Sequence, residues 1–134
     1  MTERDLYEYL RYKKEIKRLR AKYHECELYM NSPKYPNLAS VPGGGDGEEK
    51  LMKLMDERRE IERKIEELVS LRNVAEKRLD RVSEILVNPL EVDVLNLLYR
   101  EGRTVVQIAV DLSYTKMHIY RQRKSILATI SALQ

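Results

Sequence analysis

The chain has no tryptophan and no phenylalanine, one cysteine, and only five glycines in 134 residues. Without the two bulkiest apolar rings, its core has to come mainly from Leu, Ile and Val, with nine tyrosines beside them. No sizeable single globular core is expected at this length, which leaves room for one or two small domains. The lone Cys26 excludes an intramolecular disulfide and any multi-cysteine metal site. Four of the five glycines fall between Gly43 and Gly47, so helix breaking concentrates in one connector and helices are expected to dominate elsewhere. There is no apolar run at the N-terminus and no stretch of membrane-span length. A cytoplasmic protein with no membrane partner is the expectation.

What the chain does have is charge. Charged residues make up 35% of it, yet the net charge is only +3, so any basic surface must be local. Residues 103–134 hold five Lys/Arg against the single acid Asp111, whereas residues 88–102 hold three acids and one Arg. A face that is merely solvated usually mixes signs. The N-terminal thirty residues do so, with eight Lys/Arg and six acids, and read as a solvated amphipathic surface.

The basic C-terminal stretch carries a recognisable pattern. Ile108, Ala109 and Leu112 form an apolar stripe at helical spacing, Ser113 and Tyr114 interrupt it, and Ile119, Ile126, Leu127 and Ile130 resume it on a second helix. This is the layout of a helix-turn-helix, with small Ala109 where the two helices cross. Thr115 is placed to cap the second helix by accepting a backbone N–H one turn ahead. Lys116, Met117, Tyr120, Arg121 and Lys124 recur at spacings of three and four on the face opposite the stripe. An α-helix fits the major groove of B-DNA, and side chains in its first turns reach base edges. Two departures from the ideal motif stand out: Ser113 where glycine suits a left-handed turn, and Gln122 where an apolar contact is usual. Upstream, Asn88-Pro89-Leu90-Glu91 predicts a helix start, with Asn as cap, Pro at the first position and Glu91 returning the cap's hydrogen bond. Leu90, Val94, Leu95, Leu97 and Leu98 supply that helix's core face, and Gly102 its stop. Residues 88–134 are near the lower limit for independent folding, so support from the preceding segment is expected.

The stretches Leu90–Gly102 and Val106–Arg121 resemble the region-four helix-turn-helix of bacterial sigma factors. That resemblance implies that Lys116, Met117, Tyr120 and Arg121 contact promoter DNA. Met117 and Tyr120 depart from the charged or amide residues more common there, and nothing matches the other sigma segments, so a complete sigma factor is not expected. The whole arrangement also resembles the phage and prophage late-gene regulators of the ArpU/RinA type: a charged helical N-terminal part, the connector Ser32-Pro-Lys-Tyr-Pro and Val41-Pro-Gly-Gly-Gly, and a sigma-like C-terminal module. This resemblance implies a transcriptional activator of late genes acting in the cytoplasm of a bacterial host cell.

The middle of the chain predicts oligomerisation. Positions 51, 54, 58, 61, 65, 68, 72, 75, 79, 82 and 86 alternate spacings of three and four and are apolar except for Arg58 and Arg72. A second seam runs through Tyr9, Tyr12, Ile16, Leu19, Tyr23, Cys26 and Met30. Residues 31–47 contain three Pro and four Gly and can reverse the chain. The expected fold is therefore all-α. Residues 1–87 form an antiparallel helical hairpin or coiled coil, with helices about 2–30 and 48–86, and residues 88–134 form the helix-turn-helix domain. Surplus apolar residues off the seam, at Met52, Met55, Val69, Leu71, Val74 and Ile85, suggest a homodimer. Arg58 and Arg72 argue against a tight parallel two-stranded coil but can snorkel at a bundle's edge.

The expected DNA-binding set is Arg103, Thr115, Lys116, Met117, His118, Tyr120, Arg121 and Lys124. The expected oligomerisation set is Leu54, Ile61, Ile65, Leu68, Leu79 and Val82. Double-stranded DNA is the expected partner, and the helical bundle dimerises or touches RNA polymerase. Two other classes share these features: a small-terminase-like packaging protein and a helical adaptor that binds RNA polymerase without DNA. His24 and Cys26 lie about 200° apart on a helix and cannot share a ligand. No Gly-Lys-Ser/Thr follows the Gly43 tract, so no nucleotide cradle is expected. No catalytic residue, metal site or cofactor is expected, and no enzyme.

Overall fold

A computed structural model describes residues 1–31 and 46–133. The protein is all-α, with no strand among the described residues. Its helices are α1 (Glu3–Met30), α2 (Asp46–Ile85), α3 (Pro89–Tyr99), α4 (Val105–Leu112) and α5 (Lys116–Ser131). The expectation for the connector, residues 31–47, falls largely outside the described residues.

The chain divides into two compact units, and the division differs from the one read from the sequence. One unit comprises Met1–Lys13 with Leu71–Gln134, and the other Lys14–Ser70. The expected boundary at residues 87 and 88 thus lies inside the first unit. The physical reason is the core. Leu79 and Val82 of α2 and Leu6 of α1 are buried together with Val94, Leu95, Leu98 and Tyr99 of α3, Ile108 and Ala109 of α4, and Ile119, Ile126 and Ile130 of α5. Three short helices expose too much of their own surface to be stable alone, and the ends of α1 and α2 cover it.

Periodicity located this core well on α2 to α5 and less well on α1 and at Tyr99. Leu6 is 1% exposed although the α1 seam begins at Tyr9. Tyr99, which stands outside the core face expected for its helix, is the largest fully buried side chain among the described residues. A buried phenol needs a partner for its hydroxyl. Tyr99 donates to Glu3 Oε1 at 3.0 Å, and Arg123 of α5 donates to the same carboxylate oxygen from Nη2 at 2.7 Å and from Nε at 3.0 Å. Tyr7 packs edge-on against the Tyr99 ring, with centroids 4.9 Å apart. One carboxylate near the start of α1 therefore ties together α1, α3 and α5. Two further links reach α2: Arg78 donates to Glu8 at 2.8 Å, and Arg100 bridges Glu76 and Asp80.

The second unit has a smaller core. Leu19 and Cys26 of α1 are buried with Ile61 of α2, and Tyr23, Ile65 and Leu68 pack against them. Cys26 sits in this seam as a small apolar residue, and burial raises its thiol above the ordinary range. Arg58 occupies a seam position by placing its guanidinium 5.9 Å from the centroid of the Tyr23 ring, which keeps the charge against an aromatic face.

These cores correct part of the expected oligomerisation set. Ile61, Leu79 and Val82 are 6%, 1% and 0% exposed within a single chain and cannot also form a contact between copies. Ile65 and Leu68 are half-buried against the Leu19 cluster, and Leu54 is half-buried. The heptad pattern marks residues that pack, but the partners of these five are residues of the same chain. No helix of the described residues is long and apolar enough to cross a membrane.

Two outcomes test this account. Leu6→Ala, far from residues 88–134 in sequence, should lower the unfolding free energy of the first unit by about 2–5 kcal/mol, measured by urea denaturation. A change within error would mean that residues 88–134 hold their fold without α1. The second outcome concerns alkaline pH. Burial, with Glu3 acting in the same direction, pushes the Tyr99 phenol well above its ordinary range. The unfolded chain then gives up this proton first, so the associated stability is complete below about pH 10 and is lost as pH rises further. Tyr99→Phe should flatten that alkaline decline, leaving the smaller share due to Tyr7, which burial also raises.

Candidate nucleic-acid interface

Local sequence builds each part of the segment from α3 to α5. Asn88 caps α3 by accepting the Leu90 N–H at 2.9 Å, and Pro89 follows at the first helical position. Glu91 does not close the expected capping box. Its carboxylate instead accepts a hydrogen bond from Ser125 Oγ of α5 at 2.6 Å, because the fold brings that hydroxyl within reach. Gly102 ends the α3 segment with φ +71°, a conformation that costs glycine little.

A capping box does form one helix later. Gln107 N–H donates to Thr104 Oγ1 at 3.2 Å, and Thr104 N–H donates to Gln107 Oε1 at 3.0 Å. The Thr-x-x-Gln spacing was a readable signal for it that the apolar stripe overshadowed. Between α4 and α5 lie only Ser113, Tyr114 and Thr115. Ser113 takes the left-handed conformation, φ 60° and ψ 40°, and Tyr114 N–H reaches back to the Ala109 carbonyl at 2.9 Å. That bond belongs to the helix-ending motif in which glycine usually sits at the left-handed position. Thr115 then caps α5, its hydroxyl accepting the His118 N–H at 3.2 Å.

The two faces of α5 separate as its sequence pattern indicates. Ile119, Ile126 and Ile130 are buried and Leu127 is half-buried. Lys116, Met117, Tyr120, Arg121 and Lys124 are all exposed, Met117 at 64% and Tyr120 at 50%. Among the described residues, Lys116, Arg121 and Lys124 form no ion pair, whereas the other two cations of residues 103–134 do. Arg123 points inward to Glu3. Arg103 contacts Asp111 and lies 3.7 Å from Glu101, so the structure compensates its charge locally and sets it apart from the expected DNA-binding set.

Thr115 and His118 also differ from the simplest expectation. The Thr115 hydroxyl is engaged as a cap, and His118 is half-buried and stacked on Tyr114 with ring centroids 4.7 Å apart. Both shape the start of α5 rather than extend its outer face. Gln122, flagged for standing where an apolar residue is usual, has its side-chain oxygen buried without a hydrogen-bond partner.

Arg103, Arg123 and Tyr120 line one wall of an open cleft of about 370 Å³, but acids of the same chain match both guanidinium groups there. Among the described residues, no group of three His, Cys, Asp or Glu side chains is arranged to hold a metal ion.

The left-handed Ser113 makes a direct test of the turn. Ser113→Gly removes the Cβ clash and should raise stability by about 0.5–1 kcal/mol, while Thr115→Ala should lower it by about 1 kcal/mol. If thermal unfolding ranks the two variants the other way round, the turn does not have this conformation in solution.

Comparison with family models, with curated proteins and with solved structures finds no match for this chain.

Proposed function

We propose that the protein is a sequence-specific DNA-binding transcriptional regulator that inserts α5 into the major groove. One observation carries this reading. Three cations, Lys116, Arg121 and Lys124, share an exposed face with Met117 and Tyr120 and have no ion-pair partner among the described residues, while neighbouring Arg103 and Arg123 are neutralised by acids. Unpaired charge on a convex helix face is available to an external polyanion, and its phosphates repay the desolvation that an ion pair would resist. Arg121 sits in the second turn, where a bidentate contact to guanine is geometrically natural, and Tyr120 and Met117 add apolar contact to base edges. Lys124, one turn further along, suits a phosphate and sets register. The resemblance to sigma region four and to the late-gene regulators supports activation of phage genes near a promoter as the biological setting.

The division of labour between Arg121 and Lys124 is measurable. Duplexes selected from a random pool by the full chain supply a preferred site. On that site Arg121→Ala should reduce discrimination against substituted base pairs by about 1–3 kcal/mol. Lys124→Ala should weaken all duplexes alike and reduce the slope of log K against log salt by about one unit. Should the pool yield no preferred sequence and neither variant alter the salt slope, the outer face of α5 is not a DNA-reading surface.

A further inference from the structure

Within the first unit, α2 presents a second exposed face, independent of α5. Leu71, Val74 and Ile85 are 46%, 58% and 44% exposed, and between them Lys77 and Arg81 stand exposed one turn apart. The spacings from 71 through 74, 77 and 81 to 85 keep all five side chains on one stripe of about four turns. Neither Lys77 nor Arg81 forms an ion pair among the described residues, and their sequence neighbours Glu76 and Asp80 are both engaged by Arg100. Val74, Lys77 and Arg81 line a depression of about 320 Å³ together with Met1 and Arg78. Large apolar side chains at helical spacing with two free cations between them form a patch that single scattered exposed residues do not.

We propose that this face docks an acidic amphipathic helix of a partner protein. The partner carries apolar residues at its ends and carboxylates in between, so that its acids meet Lys77 and Arg81 while its apolar residues cover Leu71, Val74 and Ile85. A parallel pairing with a second copy of the chain sets each cation on itself, and a second copy in an antiparallel register is an outcome of the test, read as subunit mass in solution. A DNA duplex fits poorly as well, because phosphates would engage the two cations and leave the three apolar side chains in water. The stripe is short, so the contact is of the weak, transient class.

The full chain is titrated, by fluorescence anisotropy, with a stapled helical peptide of about five turns that carries Leu at the apolar positions and Glu between them. A second peptide has Lys in place of each Glu. The expected result is saturable binding of the acidic peptide. It should weaken about tenfold in the Lys77→Glu/Arg81→Glu variant, which should in turn prefer the Lys peptide. Val74→Ser/Ile85→Ser should weaken both pairings while leaving the preference of each protein for one peptide in place. Exposed positions are altered throughout, and unchanged thermal unfolding confirms that each variant is folded. Equal binding of the two peptides to the wild-type chain, or no binding of either, overturns the proposal. So does a charge reversal that changes the subunit mass in solution or the affinity for random duplex while leaving peptide binding as it was.

Discussion

The arrangement of the C-terminal helices depends on burying Tyr99, a side chain that none of them can shelter alone. Its ring lies in the core and its hydroxyl has to find an acceptor there. Glu3 supplies that acceptor from α1 and at the same time takes two hydrogen bonds from Arg123 of α5. The first turn of one helix, the last residue of another and the middle of a third are thereby held by one carboxylate. This is why residues 1–13 belong to the same compact unit as residues 71–134. It is also why α5 offers fewer free cations than its composition suggests.

Charge in this unit is sorted by partner rather than by amount. Arg78, Arg100, Arg103 and Arg123 each face an acid of the same chain, and none of them offers an uncompensated charge to a ligand. Lys116, Arg121 and Lys124 on α5, and Lys77 and Arg81 on α2, are left without such partners among the described residues. Exposed ion pairs add little stability, so their main effect here is to decide which positive charges remain available. The two unpaired sets differ in their surroundings. On α5 the cations sit with Tyr120 and Met117, which suit base edges. On α2 they sit between aliphatic side chains, which suit another protein.

Much of the local structure was legible because it depends on residues close in sequence. The Asn88-Pro89 start, the Gly102 stop, the Thr115 cap and the left-handed turn at Ser113 each involve a few neighbouring backbone groups. The inward stripe of α5 followed from spacing alone. Glu91 shows the limit of such reading: the local pattern offered it a cap, but Ser125, thirty-four residues away, took the carboxylate instead. Arg103 shows the same limit for charge, since it counted toward a basic segment until Asp111 was found beside it.

The sequence by itself determined that the chain is helical, where α3 begins and ends, where α4 gives way to α5, and which residues of α2 and α5 pack, because periodicity and capping are properties of single helices. Only the tertiary structure decided what those residues pack against. The α2 seam proved to be filled in part by α1 and α3 to α5 of the same chain, Tyr99 became the centre of a core, and Arg103 and Arg123 were paired with acids while Lys116, Arg121 and Lys124 were not, among the described residues. A heptad or a basic run specifies a face but not its partner, and the partner is set by which distant helices must come together to bury enough apolar surface.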